Sequence, residues 1–344
     1  MQRKHGAVAQ QEITFNMELL PGAHNAINTC LRLKQNERIT IITDHECLEI
    51  AAALVHEINN VGSTFSLFVL EDFAQRPLED MPQRILDELA KSHVSIFACV
   101  AQTGELGSRI QMTNVVNKHK IRHAHMVNIT KKIMCEGMRA DFHAVDAIST
   151  ILVEKARKAK TIRAISKGGT NVIAEFSPSL KWLKTSGIIS TEKWGNLPGG
   201  EILTTPANVN GLFVVDGVVG DYLCPRFGDL QDTPLYIEIE HSTIQHLHCS
   251  NNELLDEFSA YISTDENSNR AGEFAIGTNI AVKEISGQIL QDEKIPGVHI
   301  AFGNPYGEHT GANWVSTTHI DCVGRNFDIW MDEEHIMANG VFLV

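Results

Sequence analysis

The sequence predicts an α/β chain in two parts. A doubly wound parallel-sheet domain is expected over residues 1–163, followed by a glycine-rich α+β domain over residues 164–344. Three observations lead there. Through the first half, short β-branched runs alternate with apolar residues at helical spacing, the pattern of a parallel sheet covered by helices. Past about residue 165, glycines cluster and the apolar runs become short and alternating, as in hairpins. The length, 344 residues, suits two domains of roughly 150 residues each.

Each element has its own signal. Residues 38–44 (RITIITD) read as the first strand, 47–59 as a helix from their apolar spacing, and 62–70 (GSTFSLFVL) as the second strand. A helix over 82–91 leads to an apolar strand at 93–100 (HVSIFACV), a helix over 107–118 and a strand at 124–129. Residues 131–158 read as helix broken near Gly137, and a further strand begins at 161–165. In the second part, 212–219 and 235–240 alternate like antiparallel strands, 252–262 reads as a helix, and 331–340 with the closing VFLV reads as a terminal hairpin.

Composition narrows the function. The chain is 43% apolar and 21% charged, with a formal net charge of −13. A nucleic-acid binder normally carries a basic face, and anionic lipid likewise attracts basic segments, so neither partner is expected. No apolar run reaches the ~18–20 residues of a membrane helix, and the first residues, MQRKHGAVAQQEITFN, lack the apolar stretch of a secretory leader. A cytoplasmic protein is the expectation. Seven scattered cysteines without a CxxC pair fit it, and read as small buried hydrophobes.

The first half offers little chemistry. Asp44-His45-Glu46 stands where a strand ends, yet a helix cap with first-turn charges explains it as well. Neither GxGxxG nor GxxxxGK[ST] occurs. Arg122-His123-Ala124-His125 reads as a surface cluster.

The glycine-rich half is richer. Pro198-Gly199-Gly200 form a tight turn that sets Glu201 at a strand start. Glu273 lies among small and apolar residues and needs a partner, a metal ion or Arg270, because burying an unpaired charge is costly. His299 is flanked by apolar residues, where a hydrogen-bonded core histidine is the commoner case, and Tyr306 follows after a glycine bend. His319 and Asp321 stand two apart on a strand, so they share a face. Each pattern alone is weak. Together, three carboxylates and two imidazoles are about what two metal ions need when each keeps an open position.

The strings NLPGGEILTTP, AGEFAIGTN, DEKIPGVHIAFGNPY and THID, taken in order, resemble the M29 metallo-aminopeptidases, the aminopeptidase T family. The likeness runs from about residue 160 to the end. It implies Glu201, Glu273, His299, His319 and Asp321 as metal ligands, Tyr306 as a catalytic tyrosine, and Glu293 near a further acidic position. It also implies two divalent ions (zinc, cobalt or manganese), a small peptide or aminoacyl substrate, and a homodimer. On that reading Glu273 bridges the ions or takes the proton of the bridging water, and Tyr306 stabilises the oxyanion. A relative of these peptidases, the dioxygenase that opens 2,5-dihydroxypyridine, is similar in fold and in its HxD motif and uses one Fe(II). It implies the alternative, in which His299, His319 and Asp321 form a two-histidine, one-carboxylate triad. A family member that binds metal without turnover is the third possibility.

Overall fold

The computed structural model describes residues 14–344; the stretch 1–13, on which the expectation of no leader largely rests, lies outside them. Two compact units divide the chain. The first runs through Phe142 and takes back Gly187–Gly199; the second holds His143–Ser186 and Gly200–Val344. The division therefore falls earlier than the 1–163 and 164–344 read from sequence. Leu152, Val153 and Ala156 of helix Phe142–Ala156 bury their stripe in the second core, beside Ile162 and Ala164. Gly195–Asn196, by contrast, pairs with a strand of the first sheet.

In the first unit five parallel strands lie in the order Thr64–Val69, Arg38–Thr43, Val94–Ala98, Arg122–His125 and Gly195–Asn196. The second strand in sequence lies to one side of the first, and the third to the other. With right-handed crossovers, that reversal puts helix Leu48–Val61 on one face and helices Gln83–Leu89 and Leu106–His119 on the opposite one. Ile85, Leu89, Met112 and Val116 accordingly share a core cluster with Phe68 and Phe97.

Asp44, fully buried, follows the first strand and closes the turn before the helix rather than capping it, since the N-cap is Cys47: its Oδ1 accepts from the Cys47 amide at 2.8 Å. Its other oxygen pairs with Arg76 Nη1 at 2.7 Å, and Arg76 also meets Glu105 at 2.5 Å. The charges at this strand end satisfy one another. The expected surface pair His123 and His125 is instead buried, because its strand lies inside the sheet with both faces covered. Ser95 Oγ lies 2.8 Å from His123 Nδ1, and the His125 ring stacks on Phe97.

The second unit contains two antiparallel sheets. Eight strands run in the order Thr243–His248, Leu235–Glu240, Asn208–Val215, Asn171–Glu175, Thr161–Ser166, Phe327–Met331, Glu334–Ala338 and Val341–Phe342. Five more run His319–Val323, Gly297–Gly303, Ala271–Gly277, Glu201–Thr204 and Leu183–Lys184. One core serves both sheets: Phe213, Phe327 and Ile329 from the larger, Phe274, Ile300 and Phe302 from the smaller. All seven cysteines are free thiols, six of them buried. Among the described residues no helix is long and apolar enough to cross a membrane.

Candidate metal centre

The five-stranded sheet sorts its residues by the two-residue period of a strand. Ile202, Phe274, Ile276, Val298, Ile300, Phe302, Ile320 and Cys322 face the core. The alternate positions form the other face. There Glu273 stands opposite Ala301, which stands opposite Asp321, while Gly277 pairs with Glu201 and Gly303 with His319. His299, two residues before Ala301, joins the same face. All five ligands expected from sequence therefore project from one side of one sheet.

A further segment crosses over that face. A Cβ on Gly277 would lie 2.0 Å from the carbonyl oxygen of Ile295, so only glycine lets residues 293–296 pass so close. The Asn279 amide donates to the Lys294 carbonyl at 3.0 Å, and Asp292 anchors the preceding loop by accepting from the Gly287 and Gln288 amides. Glu293 and Lys294 are thereby delivered to the site.

The donor atoms fall into two overlapping groups. Glu201, Glu273 and His299 each present an atom within 4.8 Å of the others, and so do Glu293, His299 and Asp321. His299 Nε2 lies 3.3 Å from Glu273 Oε1 and 3.7 Å from Glu201 Oε2. His319 Nε2 lies 3.4 Å from Asp321 Oδ1. Glu201, Glu273 and His299 are buried; His319 and Asp321 are half-buried.

The tautomer of His319 is set by its surroundings. Its Nδ1 is 2.9 Å from the backbone carbonyl of Asn304, which can only accept, so Nδ1 carries a proton. In the neutral ring Nε2 is then a bare lone pair facing a carboxylate. Two acceptors meet there, and either a proton or a metal ion must lie between them. A metal-ligating histidine has this arrangement, with its other nitrogen donating to a carbonyl.

Without metal, protons fill that need. Burial opposes charge on His299, but the hydrogen bond to Glu273 and the charges of Glu201 and Asp321 outweigh it and raise the imidazole to about 9. For His319 burial is likewise outweighed, chiefly by Asp321, and the ring is raised to about 10. Asp321 is held below its usual range: burial opposes, but the His319 and His299 charges win. Glu293 is pushed up by burial and by Asp321 and Glu201, against the pull of Lys294.

Tyr306 lies beside the centre, its ring centroid 4.6 Å from that of His319. The residue is 45% exposed. Its backbone is held in a left-handed turn in which its amide donates to Asn304 Oδ1 at 2.9 Å. Four residues escaped the sequence reading. Lys294, buried, places Nζ 2.6 Å from Glu201 Oε1 and 2.5 Å from Glu293 Oε1. Thr185 Oγ1 donates to Glu201 Oε1 at 2.7 Å. Asn304 links Tyr306 to His319, and Tyr261 Oη donates to the His319 carbonyl at 3.1 Å. The one advance signal was a lysine inside an apolar, glycine-bearing segment; the others look like ordinary loop and helix residues.

Fold and donor set together define the class, a chain related to metalloenzymes with candidate metal ligands on one sheet face. The model of the NicX family, 2,5-dihydroxypyridine 5,6-dioxygenase, matches residues 24–344, and the chain belongs to that family. Among solved structures, the 2,5-dihydroxypyridine dioxygenase of Pseudomonas putida KT2440 is similar at a TM-score of 0.69 and 13% identity, covering 95% of this chain and 97% of that one. Wild-type AmpT of Thermus thermophilus is similar at a TM-score of 0.67 and 15% identity, covering 96% of this chain and 100% of that one. At such identities the structures show a shared fold. No curated protein sequence matches the chain. The kinship of the dioxygenase with the M29 aminopeptidases, read from sequence, is thereby supported. The family match favours the ring-opening alternative over the hydrolase.

Proposed function

We propose that this chain is an Fe(II)-dependent dioxygenase that opens the ring of a dihydroxylated N-heteroaromatic of the dihydroxypyridine type. The observation that carries it is the set formed by His299, His319 and Asp321 on one sheet face, with His319 locked by the Asn304 carbonyl so that Nε2 faces Asp321. Two imidazoles and one carboxylate with open positions suit non-haem ferrous iron. When bound, such an ion supplies positions for substrate and dioxygen and the electrons that start ring cleavage.

The protein's own groups do the rest. Glu273, buried and 3.3 Å from His299 Nε2, is placed to take the proton of a ring hydroxyl as the substrate docks. Partial burial and the charges of Asp321, Glu273 and Glu293 keep the Tyr306 phenol protonated, so it serves as a hydrogen-bond donor to substrate oxygen. The small side chains of Ala275 and Ala301 keep bulk off the face between the candidate ligands.

A second reading, the metallo-aminopeptidase, keeps one specific observation in its favour. Glu201 and Glu273 sit within 4.8 Å of His299, beyond what a three-residue iron site requires. On it two zinc, cobalt or manganese ions would be held by Glu201, Glu273, His299, His319 and Asp321. One experiment separates the readings. Protein loaded anaerobically with Fe(II) is given 2,5-dihydroxypyridine in an oxygen electrode, and protein loaded with Zn(II), Co(II) or Mn(II) is given aminoacyl-nitroanilides. Equimolar loss of O₂ and of the aromatic absorbance is expected. Nitroanilide release without oxygen uptake would overturn the dioxygenase.

A further inference from the structure

The two donor groups share His299 and differ in both carboxylates, Glu201 and Glu273 in one, Glu293 and Asp321 in the other. Lys294 joins Glu201 to Glu293. Its Nζ lies 2.6 Å from Glu201 Oε1 and 2.5 Å from Glu293 Oε1, and its side chain is 1% exposed. Glu201 Oε1 also accepts from Thr185 Oγ1 at 2.7 Å, so that oxygen has two donors already. Nor can the lysine easily swing away. Its carbonyl is held by the Asn279 amide, and its segment crosses Gly277 too closely for a Cβ.

We propose that Lys294 is a built-in cation that takes the place of a second metal ion and limits the centre to one divalent ion per chain. The inference rests on the metal-centre reading above and adds the reason for its nuclearity. Two ions about 3.5–4 Å apart would draw on carboxylates from both groups. Glu201 and Glu293 are one carboxylate of each group, and each has an oxygen committed to the same ammonium. A dication and an ammonium repel at this separation, more so where water is excluded. What remains for one ion is His299, His319 and Asp321, with Glu273 alongside. The retention of Glu201, which by itself suggests a dinuclear hydrolase, is accounted for as the counter-charge of Lys294.

The test is metal stoichiometry, read independently of turnover. Metal-free protein is titrated with Co(II) and, under anaerobic conditions, with Fe(II); bound metal per chain is counted after gel filtration. Wild type should saturate at one equivalent, Lys294→Met at two, and Lys294→Arg, which keeps the charge, at one. Two equivalents in the wild type would overturn the role of Lys294, as would one equivalent in a folded Lys294→Met protein. Should Lys294→Met fail to fold, Lys294→Gln replaces it, and the wild-type count decides by itself if neither folds. Wild type that binds no metal would remove the metal-centre reading beneath, a result distinct from either.

Discussion

A single hydrogen bond does much to define the centre. Because the Asn304 carbonyl claims Nδ1 of His319, the ring offers Nε2, and only a proton or a metal ion can separate that nitrogen from Asp321. Asn304 fixes the same carbonyl through its side chain, which donates to the Ser316 carbonyl at 3.0 Å and accepts from the Tyr306 amide at 2.9 Å. Asn304→Ala should therefore weaken metal affinity by about 10–100-fold with little change in the far-ultraviolet circular dichroism; equilibrium dialysis against Co(II) checks it. Tyr306 acts later. Tyr306→Phe removes one donor and leaves the His319 ring contact, so metal content should stay at the wild-type level while kcat falls about tenfold or more. Equal loss of metal and turnover would instead make Tyr306 a structural neighbour of His319.

At the scale of elements, the centre is a property of one sheet. The strings AGEFAIG, GVHIAFG and HIDCV alternate large apolar residues with small or polar ones, and the register stacks the polar positions into a row. Ala301 is the middle of that row, between Glu273 and Asp321. Ala301→Leu keeps a strand residue yet fills the space between the carboxylates. Metal content below a tenth of wild type is expected, with a fold that still unfolds cooperatively in urea. Full metal loading of this variant would mean that the ion sits elsewhere. Much of this was legible in advance, since the two-residue period puts His319 with Asp321 whatever the rest of the chain does. The crossing segment was not. That Lys294 reaches Glu201, 93 positions earlier in sequence, depends on a loop lying over Gly277, which no local pattern encodes.

For the molecule as a whole, the first unit contributes a pH dependence of its own. Burial lowers His125 to about 3 and also lowers His123, which has His125 beside it. Both rings fold in the neutral form, whereas an unfolded chain takes up protons below about 6.5. Their stabilisation is thus complete above about pH 6.5 and is lost as the pH falls towards 3. For His125 alone the slope is about 1.4 kcal/mol per pH unit. Urea unfolding at pH 7, 6 and 5 should show His125→Gln losing stability less steeply than wild type by about that amount. Equal slopes would mean that His125 is protonated in the native protein.

The sequence by itself determined the alternation of strands and helices in the first half, the parallel first sheet, the antiparallel second half, and the shared face of His319 and Asp321. Periodicity and turn chemistry are local, and a strand's alternation survives whatever packs against it. The tertiary structure decided the rest. His123 and His125 became buried only because their strand lies inside a sheet covered on both faces. Helix Phe142–Ala156 joined the second core because its apolar stripe fits there. Lys294 acquired its place between two carboxylates because burial leaves an ammonium no water to pair with, so it must find its anions within the fold.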